Sequence, residues 1–295
     1  MATILTLVAK RDTRCLDQSL IKRVRAQVKG GPPQMLSPGE AVDIPCNAEP
    51  DMDRLRALLQ GMPIDTLPVD AAGRRKRLLV ADMDSTIVTG ETLDELADFA
   101  GLKERIAAIT RRAMNGEIDF AEALRLRVSM LTGLSLEALD RTWERVRLTP
   151  GANELVSTMR AQGALTVLVS GGFTYFTGRV AALVGFDVHR ANVLLDDGAH
   201  LIGAVAEPIL GQDAKLATLK GLAAERGLAL SETLAVGDGA NDLAMLRQAG
   251  LGIAFRAKPV VAAQVRARVD HADLRALLFA QGYRAEEIAS SPAAE

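Results

Sequence analysis

The stretch Leu78-Leu79-Val80-Ala81-Asp82-Met83-Asp84-Ser85-Thr86 joins a short apolar run to a polar loop with two carboxylates. The run has the length of a buried strand, and the two aspartates follow where that strand would end. Helical stretches separate it from two similar runs, which predicts a parallel sheet with right-handed crossovers. These runs also end in polar loops, at Ser170-Gly171-Gly172 after residues 166–169 and at Gly237-Asp238-Gly239-Ala240-Asn241-Asp242 after residues 234–236.

The three polar loops predict one site, because the carboxyl ends of parallel strands meet at the same edge of a sheet. Asp82 and Asp84 repel each other, so a site that holds them close usually contains a divalent cation or a shared proton. Asp238 adds a carboxylate from another strand end, and an oxygen-only ligand set suits Mg²⁺ rather than zinc. One such aspartate is often only a helix N-cap, but three polar strand ends favour a functional site.

Composition and charge exclude several classes of function. With 35 Lys+Arg against 37 Asp+Glu the formal net charge is −2, and aromatic residues make up 3% of the chain. Nucleic acid needs basic surfaces and stacking aromatics, so no nucleic-acid partner is expected. No window approaches the ~20 apolar residues of a spanning helix, and the start of the chain lacks a signal-peptide pattern. We therefore expect a cytoplasmic protein with no membrane partner.

Other routes to bond cleavage leave sequence signatures that are missing here. The chain contains no GxxxxGK[ST] phosphate loop and no GxSxG elbow, and its three histidines form no metal-ligand cluster. Cys15 and Cys46 have neither a CxxC nor a zinc spacing. Any chemistry must therefore use carboxylates, lysine and arginine.

Two units are expected along the chain. Residues 1–75 predict a small α+β unit with a first strand up to Val8, an amphipathic helix and a Gly/Pro break at residues 30–33. Residues 76–295 predict an α/β core, and a mostly helical segment at about 92–149 is too long for one crossover and predicts an inserted cap. Residues 194–209 predict a hairpin flap.

The same loops resemble the motifs of the haloacid dehalogenase-like (HAD) phosphatases. Asp82-Met83-Asp84-Ser85-Thr86, Ser170, Lys215 and the loop 237–242 occur in the order of the four HAD motifs, and the resemblance covers about residues 77–278. It is closest to the phosphoserine phosphatases of that superfamily. The resemblance implies a Rossmann-like parallel sheet and Mg²⁺-dependent hydrolysis of O-phospho-L-serine to L-serine and phosphate, the last step of serine biosynthesis. A phosphotransferase acting on another alcohol, such as homoserine, is the alternative.

The resemblance assigns the reacting carboxylates. Asp82 would be the nucleophile that forms a phosphoaspartate, and Asp84 would protonate the leaving seryl oxygen and then deprotonate water. Mg²⁺ would be held by Asp82, the main-chain carbonyl of Asp84, and Asp238. Asp242 would orient the metal from outside this ligand set, or else cap the helix 243–248.

The resemblance implies that the remaining site residues of the α/β unit bind the phosphate. Ser170 and Gly171 would donate hydrogen bonds to it, Lys215 would supply positive charge, and Asn241 would help to orient it. Lys215 is expected in the first turn of a helix, where a cation opposes the macrodipole by ~0.3–1 kcal/mol. A lysine at a position that costs stability favours a function over an exposed surface role.

The cap helix that starts near Phe120 separates two arginines by geometry. At about 100° per residue, Arg127 falls about 20° from Phe120 inside an apolar stripe, whereas Arg125 falls at about 140°, on the solvent side. A guanidinium on an apolar face must pair with an anion or remain costly, which makes Arg127 the candidate for a substrate carboxylate. The alternative is an arginine that snorkels at the rim.

Three further positions complete the predicted substrate site. Glu91 could bind the substrate ammonium group or merely favour the N-terminus of the next helix. The resemblance implies that Met114 and Phe120 form an apolar lid. The expected partner is a small phosphomonoester, and a homodimer is left open. Residues 1–75 resemble the ACT-type amino-acid-binding domains, so an amino-acid sensor and a packing module both remain open for them.

Overall fold

The computed structural model describes residues 3–114, 117–211 and 213–290, without the side chains of Ala113 and Met114. Within these ranges the chain forms a four-stranded antiparallel sheet, a six-stranded parallel sheet and a two-stranded hairpin. None of the helices described has both the length and the hydropathy needed to cross a membrane. The parallel sheet with flanking helices confirms the predicted fold class.

Residues 3–70 contain the antiparallel sheet, with strands in the order β2-β3-β1-β4. An aspartate side chain caps the N-terminus of each of its two helices. The short edge strand β2 is not predicted by the sequence, because its first two side chains are exposed and break the apolar pattern. The elements are β1 (Thr3–Ala9), α1 (Gln18–Gln27), β2 (Gln34–Ser37), β3 (Ala41–Cys46), α2 (Met52–Leu58) and β4 (Ile64–Asp70).

The parallel sheet has the order β12-β11-β10-β5-β6-β7. The three predicted strands β10, β5 and β6 are neighbours at its centre, and all four residues of β5 are buried. The outer strands β7, β11 and β12 were not predicted from the sequence. The strands are β5 (Leu78–Ala81), β6 (Leu165–Phe173), β7 (Val188–Asn192), β10 (Thr233–Gly237), β11 (Leu251–Phe255) and β12 (Ala267–Val269).

Helices cover the parallel sheet and build the segment inserted between β5 and β6. The inserted segment contains α3 (Thr92–Phe99), α4 (Lys103–Met114), α5 (Phe120–Ser129) and α6 (Glu137–Trp143). The predicted hairpin is present as β8 (Leu194–Asp196) and β9 (Leu201–Val205), which pair antiparallel. The remaining helices are α7 (Ala152–Ala161), α8 (Thr174–Val184), α9 (Ala214–Glu225), α10 (Leu243–Gln248), α11 (Pro259–Ala262) and α12 (Ala276–Ala280).

Arg74 connects the antiparallel sheet to the core. Its guanidinium donates two hydrogen bonds to the Asp43 carboxylate, at 2.6 and 3.1 Å, and one to Thr6 Oγ1 at 3.0 Å. It also donates to the carbonyl oxygens of Phe279 and Ala280, the last two residues of α12. The Arg74 side chain is 11% exposed and that of Asp43 is 4% exposed. The pair is therefore desolvated, and it is one of the directional contacts that hold the antiparallel sheet on the core.

Arg74→Met should lower the free energy of unfolding by about 3–5 kcal/mol, because it leaves the buried Asp43 carboxylate without its partner. Urea denaturation followed by circular dichroism measures this change. The control is Arg56→Met, which removes an exposed i,i+3 pair with Asp53 and should change stability by no more than about 0.5 kcal/mol. Equal stabilities of the two variants would show that the Arg74 contact contributes nothing.

Candidate active site

The loop that follows β5 turns sharply at the carboxyl edge of the sheet. Asp82 continues the strand pairing, since its main-chain N–H donates to the Val236 carbonyl at 3.0 Å, and its Oδ1 accepts from the Met83 N–H at 2.8 Å. Ser85 adopts a left-handed φ of 55°, which reverses the chain. The Asp82 side chain is thereby held at the end of the central strand, next to the end of β10.

Lys215 lies between two of the predicted carboxylates. Its Nζ is 2.7 Å from Asp82 Oδ1 and 2.6 Å from Asp242 Oδ1, and the residue is 2% exposed. Burial alone would lower the pKa of Lys215, but the two carboxylates outweigh it and the pKa is raised. Burial and the charge of Asp242 raise the pKa of Asp82 although Lys215 opposes them. Lys215 therefore remains a cation beside the proposed nucleophile.

Asp84 has different partners from Asp82. Its Oδ1 accepts from the main-chain N–H of Thr92 at 2.9 Å, and its Oδ2 accepts from Ser170 Oγ at 3.2 Å. Burial and the negative charge of Glu91 raise the pKa of Asp84 to about 7. A carboxyl group of this kind exchanges a proton near neutral pH, which is what a general acid and base requires.

Three carboxylates form a group that fits a metal ion. One oxygen from each of Asp82, Asp238 and Asp242 lies within 4.8 Å of the others, and all three residues are buried. Lys215 supplies one positive charge against these three carboxylates. Burial raises the pKa of Asp238 to about 6. A divalent cation with oxygen preference would neutralise the remaining negative charge and suits this donor set.

Asp242 does not cap α10, which was the alternative considered for it. Its side chain makes no capping hydrogen bond to that helix. Instead its Oδ2 accepts from the Gly239 N–H at 2.9 Å, and its Oδ1 contacts Lys215. The structure therefore places Asp242 in the carboxylate group together with Asp82 and Asp238.

The cap supplies the opposite wall of the site. The aromatic ring of Phe120 lies over Gly171, where a Cβ would come within 3.1 Å of Phe120 Cζ. Glu91 precedes α3 without capping it, and its Oε1 accepts from Ser85 Oγ at 2.8 Å. Neither side chain is buried in the protein core, so both are available to a ligand between cap and sheet.

The two arginines of α5 lie in different surroundings. Arg127 is partly buried, its Nε donates to the Ala123 carbonyl at 3.1 Å, and burial lowers its pKa. Arg125 is exposed and pairs with Glu207 of the flap at 2.7 Å. The helical periodicity thus separated the two positions correctly. The Met114 side chain lies outside the described residues.

A cavity of about 150 Å³ brings most of the predicted residues together. Lys215 and Asp242 lie beneath it rather than in its lining. Lys258 lines the cavity and was not singled out in the sequence, because β11, the strand before it, was not recognised. The sequence feature that could have indicated Lys258 is its place directly before Pro259, which starts a helix. The lining consists of Asp82, Asp84, Glu91, Leu93, Phe120, Leu124, Arg127, Ser170, Gly171, Gly172, Asp238, Asn241 and Lys258.

Fold and site together define an α/β protein with a carboxylate-centred cavity under a helical cap. Residues 79–247 match the family model of the haloacid dehalogenase-like hydrolases. The chain belongs to this family. The predicted resemblance is thereby confirmed.

Named relatives are similar to most of the chain. A phosphoserine phosphatase from Streptococcus thermophilus is 45% identical over 199 residues, which cover 68% of this chain and 93% of that protein. A phosphoserine phosphatase from Archaeoglobus fulgidus is 43% identical over 201 residues, and this match spans only 58% of the archaeal protein. The structure of a probable phosphoserine phosphatase from Vibrio cholerae superposes with a TM-score of 0.79 at 30% identity, covering 95% of this chain and 86% of that one.

Gly237→Ala should lower the free energy of unfolding by about 1–3 kcal/mol, because a Cβ there would lie 2.3 Å from Asp242 Cγ and displace a fully buried side chain. Gly221→Ala is the matched control. Gly221 lies inside α9 with open space around its Cα, so alanine should stabilise that helix by about 0.5–1 kcal/mol. Chemical denaturation measures both, and an unchanged stability of Gly237→Ala would contradict the close packing of Asp242.

Proposed function

We propose that this chain is a Mg²⁺-dependent phosphatase that hydrolyses O-phospho-L-serine to L-serine and phosphate. One observation carries the proposal: a single small cavity joins the Asp82 site to a cationic and an anionic side chain, Arg127 and Glu91, on its cap side. The named phosphoserine phosphatases among the relatives support it.

Phosphoserine carries three charged groups, and the cavity offers a partner for each. Its phosphate would lie at Asp82, within reach of the hydroxyl of Ser170 and the main chain of Gly171. Its carboxylate would pair with Arg127, and its ammonium group with Glu91. A cavity of about 150 Å³ suits a ligand of this size. The arrangement of charges favours a small amino-acid phosphoester.

The residues at the sheet edge fit a two-step reaction. In the first step a carboxylate oxygen of Asp82 attacks phosphorus, the bond to the seryl oxygen breaks, and Asp84 gives that oxygen its proton. In the second step Asp84 takes a proton from water, whose oxygen attacks phosphorus; the bond between phosphorus and Asp82 breaks, inorganic phosphate leaves, and the Asp82 carboxylate is regenerated. Asp84 is poised for both proton transfers, since its carboxyl has a pKa of about 7.

Positive charge around the phosphate makes the attack of one anion on another feasible. Lys215 holds the Asp82 carboxylate in place, and Asn241 lies in the wall of the cavity. Mg²⁺ held by Asp82 and Asp238, with the Asp84 main-chain carbonyl or Asp242, would supply further positive charge at the phosphate oxygens. The donor set fits such an ion, as its three buried carboxylates face one ammonium group.

We also propose that residues 1–75 are a separate folding unit that packs against the phosphatase core. β4 ends at Asp70 and β5 begins at Leu78, so the proposed boundary lies in the connection between them. The complete order of four strands and two helices fits the ACT-like resemblance better than the sequence pattern alone did. The close contacts of Arg74 favour a packing role.

Asp82→Asn should lower kcat for phosphoserine by at least roughly 10³-fold, because the carboxamide keeps the shape of the side chain but is no nucleophile. Release of inorganic phosphate, measured with Mg²⁺ and without an added alcohol, monitors the reaction and separates hydrolysis from transfer to homoserine. Asp53→Asn, at an exposed position of α2, is the control. Activity of Asp82→Asn within tenfold of the wild type would exclude the covalent mechanism.

Arg127→Ala should reduce kcat/KM for phosphoserine. The expected loss of transition-state stabilisation is about 2–5 kcal/mol, the range for breaking a desolvated charge pair. Phosphoethanolamine has the phosphate and the ammonium group but no carboxylate, so its kcat/KM should hardly change. Arg125→Ala should affect either substrate by only a few tenths of a kcal/mol, because Arg125 and its partner Glu207 are exposed. Steady-state kinetics of both variants with both substrates measures these effects.

Two outcomes would show that the wrong side of α5 has been assigned to the substrate. One is an equal loss for phosphoserine and phosphoethanolamine in Arg127→Ala. The other is a larger phosphoserine loss in Arg125→Ala than in Arg127→Ala. A general folding defect is recognised separately, because it would depress the rates for both substrates together.

A further inference from the structure

Lys258 lies at the rim of the cavity, between β11 and α11. Its main-chain N–H donates to the Asp238 carbonyl at 3.0 Å, and Pro259 begins α11 directly after it. These contacts fix the backbone of Lys258 next to the end of β10. Its side chain is 47% exposed and can therefore move at the mouth of the site.

The Lys258 ammonium group is weakly engaged compared with the other cations of the site. It is 3.8 Å from Asp238 Oδ2, which is an ion pair but too long for a hydrogen bond. Among the residues that the structure describes it has no closer polar partner. Lys215, in contrast, contacts two carboxylates at 2.7 and 2.6 Å. The three N–H donors of Lys258 thus remain available to an anion.

Lys258 also lies where two spaces meet. It lines the cavity of about 150 Å³ that contains Asp82, and it lines the adjoining cleft of about 940 Å³ between cap and core. An anion that enters from the cleft passes this side chain. Arg127 lines the same two spaces from the cap, so the cavity has one cation on its core side and one on its cap side.

We propose that the Lys258 ammonium binds the phosphate end of the ligand, at the opposite end from the carboxylate already assigned to Arg127. The assignment follows from position. Lys258 contacts Asp238, whose carboxylate oxygen lies within 4.8 Å of one from Asp82, and its flexible four-carbon stem allows the ammonium to turn toward a group at Asp82. A phosphate dianion beside three carboxylates needs such a cation. This inference rests on the proposed phosphate site at Asp82.

Calorimetric titration with inorganic phosphate and with L-serine, both in the presence of Mg²⁺, tests the assignment. Lys258→Met should raise the dissociation constant for phosphate about tenfold, because one charge-assisted hydrogen bond is lost. Lys258→Arg keeps the charge and should stay within about threefold of the wild type. L-Serine has no phosphate, so its binding should be the same in all three proteins. Lys220→Met, which removes an exposed lysine of α9, is the control.

The possible outcomes distinguish a failure of the Lys258 assignment from a failure of the proposed phosphatase activity. Unchanged phosphate binding in Lys258→Met, equal weakening of phosphate and serine, or no phosphate binding by the wild type would overturn the role of Lys258. If the wild type binds phosphate and loses it in Lys258→Met but does not hydrolyse phosphoserine, the proposed function fails and the phosphate contact stands. Thermal unfolding of each variant shows whether weaker binding reflects a folding defect.

Discussion

The buried ammonium group of Lys215 is the contact on which the rest of the site depends. The Lys215 side chain starts in the first turn of α9, and its ammonium group contacts Asp82, at the end of β5, and Asp242, in the turn after β10. Without this cation the two carboxylates would repel each other in a region from which water is largely removed. A lysine in the first turn opposes the helix dipole, and here its two close ion pairs outweigh that cost. With Asp238 the group contains three carboxylates against one lysine, so a further cation is needed to balance their charge.

The Asp84 side chain contacts both the parallel sheet and the start of the cap. One of its oxygens accepts from Ser170 on β6, and the other accepts from the N–H of Thr92, the first residue of the inserted segment. The start of the cap therefore positions the Asp84 carboxyl group, the proposed general acid and base. Glu91, one residue earlier, adds the negative charge that helps to raise the pKa of Asp84. Insertion of the cap directly after the first motif thus places Glu91, the proposed ammonium-binding residue, next to Asp84, the proposed acid and base.

Features set by the residue pattern of a single strand or helix could be predicted from the sequence. Features set by the packing of distant segments could not. The central strands β5, β6 and β10 are continuous apolar runs, and the periodicity of α5 alone separates Arg127 from Arg125. The polar strand β7 and the three-residue β12 give no such pattern, and β11 was not recognised although its sequence is apolar, so half of the parallel sheet was missed. Lys258 was missed together with β11, the strand that precedes it. The contact between Asp242 and Lys215 joins two distant segments, and no local signal indicates it.

The antiparallel sheet shows why its position needs polar contacts as well as apolar ones. Leu5 and Leu7 of β1 pack against α1 and α2, while Ile4 and Val8 pack toward the core, so both faces of the sheet are covered. Apolar packing is not directional and would tolerate a sheet that slides or rotates on the core. The bonds of Arg74 are directional and join one strand of this sheet to α12. Apolar burial therefore holds the unit on the core, whereas directional contacts determine its orientation. Among these are the Arg74–Asp43 pair and the hydrogen bonds that Asp65 accepts from the main chain of residues 270–272.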